Sequence, residues 1–259
     1  MARITHSLTL ALSCSLFLMP GCRSSGDSGG DPPDAGPVCD LVLDTDTLAN
    51  VVLSGSWPGT VSQVHPGDSL DFYVGQWQCC NFLEEVAACV DWSVTGGAAQ
   101  IDGSGRLTVD ATEVDGTLLT ITADIENGRR TLSRDVLVYT AAERPWVGSW
   151  REAMQRSCAD GTEVTPEQSI EEVIVRANGE TFVTWFPFET YIDYWANATF
   201  DNQLLTVELA VAGGNYVPED IDGSGSFSMP DGDTLELRDM WLGTPSSGSV
   251  QHCGHRLTR

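Results

Sequence analysis

The sequence predicts an all-β protein: a β-sandwich followed by a small eight-stranded up-and-down β-barrel. From Cys39 onward, short runs rich in β-branched and aromatic residues alternate with Gly, Asp and Asn turns, which is the pattern of short antiparallel strands. Only Asn81 to Val90 shows a spacing compatible with three turns of helix. A change of strand pattern between Thr140 and Pro145 divides the chain into domains at 40–140 and 146–259.

The composition excludes several functions. The 259 residues include 37 Asp and Glu, 13 Arg and no Lys, which gives a formal net charge of −24. Such a chain repels a phosphate backbone, so we expect no nucleic-acid partner. Chemistry that depends on a lysine is impossible.

Residues 1–21 have the features of a signal peptide. A short basic start is followed by about a dozen mostly apolar residues, roughly half the length of a spanning helix. The run ends at Gly21 and Cys22, and it resembles the lipobox of bacterial lipoproteins, in which such a Cys is lipidated and becomes the mature N-terminus. Met19 and Pro20 depart from that motif. The alternative is an ordinary secretory signal, which leaves Cys22 as a spare thiol.

Residues 22–39 form the predicted tether. They are rich in Ser, Gly, Asp and Pro and lack an apolar cluster, so the segment cannot bury enough surface to fold. A lipid-bearing Cys followed by such a tether implies a membrane partner through the lipid anchor. We therefore expect an exported protein of the cell envelope, at the outer membrane or cell surface.

Six cysteines remain outside the signal peptide and the lipidation site, and in an exported chain they predict disulfide bonds. They are Cys39, Cys79, Cys80, Cys89, Cys158 and Cys253. The domain division leaves Cys158 and Cys253 alone in the second domain, so they are expected to pair. Adjacent Cys79 and Cys80 are poorly placed to bond each other, and each is expected to take one of the remaining two. A zinc site is the alternative, but no C-x-x-C pair exists.

The first domain has a strand order with recognisable turns. Its segments are Pro66-Gly67-Asp68 before Ser69 to Tyr73, the Trp strand Val90 to Val94, the turn Ala99 to Thr108, then Gly116 to Ala123 and Ser133 to Tyr139. Leu119, Ile121 and Ala123 keep period two and share one sheet face, and Trp92 is expected between two sheets. These segments resemble the bacterial immunoglobulin-like group 2 family, which implies an immunoglobulin-like sandwich used as a spacer or adhesive module. The stretch GQWQCCNFLEEVAAC departs from the family as an insertion.

The second domain contains eight candidate strands. They are Val147–Gln155, Ser169–Arg176, Thr181–Phe186, Tyr191–Phe200, Leu204–Val211, Ser224–Met229, Thr234–Trp241 and Val250–Leu257. Turn residues at Ala177-Asn178-Gly179, Asp201-Asn202 and Pro230 to Asp233 predict hairpins. Consecutive strands joined by short turns describe a meander, and eight strands are enough to close it into a barrel.

Gly148-Ser149-Trp150 opens this domain. It resembles the G-x-W on the first strand of lipocalin-like (calycin) barrels, in which a basic residue from the last strand covers the Trp. The last strand offers Arg256 or Arg259. We expect Trp150 and Arg256 to close the barrel floor through a cation–π contact.

An aromatic run follows the third candidate strand. In one interpretation its rings fill the barrel; in the other, Trp185, Tyr191, Tyr194 and Trp195 line a pocket for an apolar ligand or stack on a sugar. Because side chains alternate between the two faces of a strand, neighbouring rings point to opposite faces. Some of the rings must therefore be covered by groups outside the barrel.

One acidic stretch has the spacing of a calcium loop. Asp220, Asp222 and Ser224 stand at positions one, three and five, and Asp231 stands at position twelve. The alternative is an ordinary Asp-Gly turn between strands. Calcium is the one cofactor that the sequence suggests.

No G-x-S-x-G, H-E-x-x-H or phosphate-binding loop motif is present, so we do not expect an enzyme. The sequence predicts a lipid-anchored, non-catalytic binding or adhesion module whose partner is an unknown protein, glycan or small apolar ligand. The alternatives are a carrier of small apolar ligands in the barrel cavity and a glycan-active enzyme. A hollow barrel favours the carrier, a filled barrel with an outer aromatic patch favours adhesion, and a cleft with two converging carboxylates favours the enzyme.

Overall fold

The described residues of the computed structural model are 42–54, 61–78, 82–158, 160–166, 168–185, 192–244 and 253–259. They are almost entirely β, as the strand and turn pattern predicts. All of them belong to one compact unit, yet none of the sheets includes strands from both sides of residues 139–147. The signal peptide, Cys22 and the tether lie outside the described residues.

The first half contains one short helix and ten strands. They are α1 (Thr45–Asn50), β1 (Val51–Leu53), β2 (Ser62–Val64), β3 (Ser69–Asp71), β4 (Val74–Gln78), β5 (Phe82–Glu85), β6 (Val90–Thr95), β7 (Ala99–Ile101), β8 (Arg106–Val109), β9 (Leu118–Ile125) and β10 (Arg130–Val138). The Asp44 side chain caps α1 by accepting hydrogen bonds from the first-turn amides of Asp46 and Thr47. Within the described ranges, no helix has the length and apolar character needed to cross a membrane.

The helical spacing at Asn81–Val90 does not correspond to a helix in the described residues, because β5 lies at Phe82–Glu85. It pairs with β4 as an antiparallel hairpin, and β1 pairs with the other edge of β4. The backbone groups of β4 are therefore bonded on both sides, which a helix in this position would not provide. The predicted insertion thus contains the antiparallel pair β4 and β5, and residues 79–81 lie outside the described residues.

Three sheets enclose the core of the first half. A four-stranded sheet, in the order β2-β10-β9-β6, packs against two three-stranded sheets, β1-β4-β5 and β3-β8-β7. The predicted period two of β9 is confirmed, because Leu119, Ile121 and Ala123 are all fully buried. Trp92 is half-buried and packs against the apolar clusters on both sides of it.

Eight strands of the second half form a closed antiparallel barrel, which confirms the predicted up-and-down architecture. In order they are β11 (Gly148–Glu152), β14 (Glu172–Val175), β15 (Glu180–Thr184), β16 (Tyr194–Asp201), β17 (Thr206–Gly214), β18 (Ser224–Asp231), β19 (Thr234–Arg238) and β20 (His255–Thr258). Each one overlaps a strand predicted from sequence. The hairpin of β12 (Arg156–Ser157) and β13 (Glu163–Val164) is inserted after the first barrel strand and was not predicted.

The disulfide bond predicted between Cys158 and Cys253 is present, with a Cα–Cα distance of 4.2 Å. It ties the β12–β13 hairpin to the residues just before β20. Because 95 residues separate the two cysteines, the chain-entropy model assigns the crosslink about 4 to 5 kcal/mol at most. Cys89 is also disulfide-bonded, but Cys39, Cys79 and Cys80 lie outside the described residues.

The barrel floor, the end where β11 begins and β20 ends, is closed by Arg259 and not by Arg256. The guanidinium carbon of Arg259 lies 4.8 Å from the ring centroid of Trp150, which is completely buried. Buried His255 and Leu257 face the interior, so Arg256 between them faces outward. The Arg256 guanidinium lies 3.4 Å from a Glu236 carboxylate oxygen. The prediction that Arg256 covers Trp150 is therefore wrong. Arg259 is two residues after Leu257 and lies on the same side of the chain, whereas Arg256 lies on the opposite side.

We predict that Arg259→Ala lowers the free energy of unfolding by about 1 to 2 kcal/mol, because Trp150 loses both its cation–π partner and its cover. The matched variant Arg256→Ala loses only partly exposed ion pairs, which are each worth about 0 to 1 kcal/mol. Denaturant unfolding at pH 7 compares the two variants. A larger loss for Arg256→Ala contradicts the assignment of the floor.

Candidate functional site

The barrel interior is filled by its own side chains. Inward-facing residues such as Val173, Val183 and Ala196 belong to one continuous apolar core. The void that remains among the described lining residues is about 20 Å³, which is roughly the space of one water molecule. Pockets for small ligands are typically about 300 to 1,000 Å³, so this void among the described residues is far too small for such a ligand.

The barrel mouth, opposite the floor, is closed by the chain that follows β19. Met240, Trp241 and Leu242 in this segment are all buried. The hydroxyl of Tyr194, which is inside the barrel, donates a hydrogen bond of 2.7 Å to the carbonyl of Leu242. Burial raises the pKa of that hydroxyl far above its ordinary value. Tyr194 therefore belongs to the closure and does not line an open mouth.

A buried carboxylate at the mouth organises this closure. Glu152, on the inward face of β11, accepts hydrogen bonds from Arg156 through both of its oxygens. One oxygen also accepts from the Nδ1 of His255 at 2.7 Å, and the other accepts from the backbone N–H of Ile170 at 2.8 Å. The side chains of Glu152, Arg156 and His255 are at most 2 % exposed. We call these three residues the mouth cluster.

The geometry fixes the protonation of His255. Its Nε2 accepts a hydrogen bond of 3.0 Å from the backbone N–H of Leu242, so the proton of the neutral ring is on Nδ1, where it is donated to Glu152. A carboxylate that orients a His in this way is also found in catalytic triads. Here the third partner is a backbone amide, which offers no hydroxyl or thiol to activate. The mouth cluster is therefore arranged to hold the closing segment in place.

Aromatic stacking extends the mouth cluster. The ring of Trp241 lies 4.8 Å from that of His255 at an interplanar angle of 18°, and the Arg156 guanidinium carbon lies 4.8 Å from the Trp241 centroid. Arg156 belongs to the β12–β13 hairpin, whose far end carries the Cys158–Cys253 disulfide. The hairpin, the closing segment and the last strand are thus joined at one point.

The pKa of the Glu152 carboxyl is held below its usual value. Burial raises it, but the hydrogen bonds from His255 and Arg156 and the adjacent positive charge lower it by more. The ionised form is consequently the one that the folded barrel stabilises.

The four residues of the expected calcium loop do not converge. Both oxygens of Asp220 accept hydrogen bonds from within the protein, from the backbone and hydroxyl of Thr244 and the indole N–H of Trp241. Ser224 and Asp231 stand at opposite ends of β18, about 20 Å apart at the rise of a strand. The other member, Asp222, pairs through its backbone with Trp241. Among the described residues, no group of three or more His, Cys, Asp or Glu side chains is placed to hold a metal.

The aromatic residues that were candidates for ligand contact are divided between the two faces of the barrel. Trp185 is buried in the interior core, and its backbone N–H donates to the Asp193 carboxylate. Trp195 points outward and is 40 % exposed, whereas Tyr191 lies outside the described residues. The structure therefore does not bring these four residues together in one pocket.

A shallow groove of about 360 Å³ lies beside the mouth. Its described lining residues are Ala153, Met154, Gln155, Thr165 and Arg256. Arg256 is their one charged side chain, and it already faces the carboxylates of Glu163 and Glu236. The groove therefore contains no pair of converging carboxylates of the kind that a glycosidase requires.

Sequence reasoning missed the mouth cluster, although part of its signal was present. Glu152 is two residues after Trp150 on β11, so both side chains face inward. His255 is two residues before Leu257 on β20, so these two also face inward. A Glu and a His on inward positions of the first and last strands of a closed barrel must meet. The contribution of Arg156 had no such signal, because it depends on the inserted hairpin.

We predict that the mouth cluster makes the stability of the barrel depend on acid pH. Because the folded pKa of Glu152 lies below its unfolded value of about 4.3, its contribution is fully present above that value and is lost as the pH falls through the folded pKa. Glu152→Gln removes this titration. The loss of unfolding free energy between pH 5 and pH 2 should therefore be smaller in the variant than in the parent protein.

The matched control is Glu171→Gln, which removes a partly exposed carboxylate opposite Arg151 and should leave the acid-dependent loss close to that of the parent. At pH 7, Glu152→Gln should cost about 3 to 5 kcal/mol, because Arg156 remains buried without its counter-charge. Identical acid profiles for the parent and Glu152→Gln would refute the role of this carboxylate.

Neither a protein-family model nor a curated protein sequence matches the chain. The resemblances of the two halves to bacterial immunoglobulin-like and lipocalin-like domains stay predictions from their motifs.

Proposed function

We propose that this is an exported, lipid-anchored protein of the cell envelope that acts as a non-catalytic binding or adhesion module through the outside of its barrel. The observation that carries the proposal is a filled and closed barrel, with a void of about 20 Å³, that presents Trp195 on its outer wall. Export and anchoring are supported by the signal peptide, by Cys22 after Gly21 and by the apolar-poor tether.

The closed interior weighs against the two alternatives. A carrier needs a cavity and an entrance, but the segment after β19 closes the mouth and the mouth cluster holds it in place. A glycan-active enzyme needs two carboxylates facing one solvent-filled cleft. Glu152, the described carboxylate with the most hydrogen-bond donors around it, is fully buried and bonded on both oxygens.

In this proposal the first half acts as a spacer. It contacts the barrel floor through the Gln63 side chain, which accepts a 2.7 Å hydrogen bond from the backbone N–H of Ala177, and through Arg144, which donates to the Ala177 carbonyl. Leu137 and Tyr139 pack against the barrel core. The two halves therefore support each other.

We predict that the protein does not take up apolar probes. Titration with a fluorescent fatty-acid analogue should give no saturable binding and no quenching of Trp150, because no described cavity accommodates the chain. Phe227→Ala, which empties the volume of one ring inside the barrel, is the positive control and should admit a small probe such as benzene. Saturable binding of the fatty-acid analogue at one site per protein contradicts the proposal and favours the carrier.

We also predict that Cys22 alone determines membrane attachment. Cys22→Ala should move the protein from the membrane fraction to the soluble fraction without changing its thermal unfolding, because the residue precedes both domains predicted from the sequence, at 40–140 and 146–259. Cys14→Ala, within the apolar part of the signal peptide, is the control and should leave attachment intact. Retention of Cys22→Ala in the membrane fraction would exclude a lipid anchor at this residue.

A further inference from the structure

The outer wall of β14–β17 carries an apolar row that runs across the strands. In the strand register Ile174 lies opposite Phe182, Phe182 opposite Trp195, and Trp195 opposite Gly213. Residues directly opposite in antiparallel strands share a face. We call Ile174, Phe182, Trp195 and Gly213 the wall row.

The wall row faces away from the barrel interior. Its neighbours along the strands, Val173, Val183 and Ala196, belong to the interior core, whereas none of the wall row does. Phe182 is nevertheless only 9 % exposed, while Trp195 beside it is 40 % exposed. Aromatic residues are enriched in interaction surfaces relative to the rest of a protein surface, so the outward and partly exposed Trp195 is a candidate contact residue.

Trp195 rests on the backbone of Gly213. A Cβ atom built on Gly213 would lie only 2.9 Å from Cζ2 of the indole, so the absence of a side chain lets the ring settle against the neighbouring strand. The supported ring is held in place while the remainder of its surface is open to solvent. A fixed aromatic ring loses little entropy when a partner stacks on it.

The charges on these four strands are of one sign. Glu172, Glu180, Asp201 and Glu208 are their charged residues, and no Arg occurs among them. Glu180 interacts with Arg134 and Arg176, but Glu172 and Glu208 form no ion pair with any described residue. The arginines on the barrel strands lie instead on β11, β19 and β20. This wall is therefore both aromatic and acidic.

We propose that the wall row binds a basic segment of a partner protein, with an Arg or Lys side chain stacked on the exposed part of Trp195 and an apolar side chain against the partly exposed Ile174. This inference rests on the proposed function and names its partner class. A cation over an indole is favourable, and the carboxylates of the same wall attract and orient such a segment. A second copy of this chain is a poor occupant, because each copy carries a net charge of −24.

The test uses the chain from residue 22 onward and a synthetic peptide of six alternating Arg–Leu pairs as the probe. Calorimetric titration at 50 mM and 150 mM salt measures the Kd. We expect Trp195→Ala to raise the Kd about 5- to 30-fold, and Trp195→Phe to restore part of the affinity. Trp77→Ala removes a Trp of the first half that is 51 % exposed, more than Trp195, and should leave the Kd unchanged.

The charge contribution is tested in the same way. Glu172→Gln combined with Glu208→Gln should raise the Kd several-fold and weaken its salt dependence. Glu84→Gln combined with Glu85→Gln removes the same charge from β5 and should have a smaller effect. If the Trp195 and Trp77 variants bind equally, or the two double variants do, binding reflects only the net charge and the proposal is overturned.

Failure of the partner class can be distinguished from failure of the proposed function. If a neutral oligosaccharide such as cellohexaose binds the parent and not Trp195→Ala, while the peptide does not bind, the wall row is a binding surface but its partner is a glycan. If neither probe distinguishes Trp195→Ala from the parent, the wall row is not the binding surface of this protein.

Discussion

The structure of the barrel depends on satisfying one buried carboxylate. Glu152 lies inside the mouth, where an unpaired charge would cost several kcal/mol, and it receives hydrogen bonds from Arg156, His255 and the backbone of Ile170. These donors come from the inserted hairpin, from the last strand and from the residues that lead into β14. The first and last strands, the hairpin and the closing segment are therefore all positioned by the same interaction, and the Cys158–Cys253 disulfide holds the hairpin beside it.

The hydrogen bonds of the mouth cluster also bear on the proposed function, because they hold the barrel mouth closed. Because His255 binds the backbone of Leu242 and Tyr194 binds it from the opposite side, the closing segment fills the place where the entrance of a carrier would be. The floor is closed in turn by Arg259 over Trp150. We propose that partners bind the outer surface of this closed barrel, where the wall row lies on the same wall as Glu172 and Glu208, which form no ion pair with any described residue.

Much of this architecture follows from sequence, and the exceptions have physical causes. Period-two alternation and Gly, Asn and Asp turns located all eight barrel strands. In a strand with one buried face, apolar and polar residues alternate, so the sequence itself shows which residues face the core. The same alternation distinguishes Arg259 from Arg256, because Leu257 and Arg259 lie on one side of the chain and Arg256 lies on the other. The calcium loop rests on spacing alone, but spacing implies proximity only if the chain turns back, and between Ser224 and Asp231 it stays extended as β18.

The central claim is that the closed barrel binds from outside, and the indole N–H resonances of its tryptophans report this directly. In a nitrogen-15 NMR titration with the Arg–Leu peptide, we expect a shift of the Trp195 indole. The indoles of Trp150 at the floor and Trp241 at the mouth should stay unchanged, because their N–H groups are bonded to Trp146 and Asp220 inside the fold. Shifts of Trp150 and Trp241 with an unchanged Trp195 would contradict it.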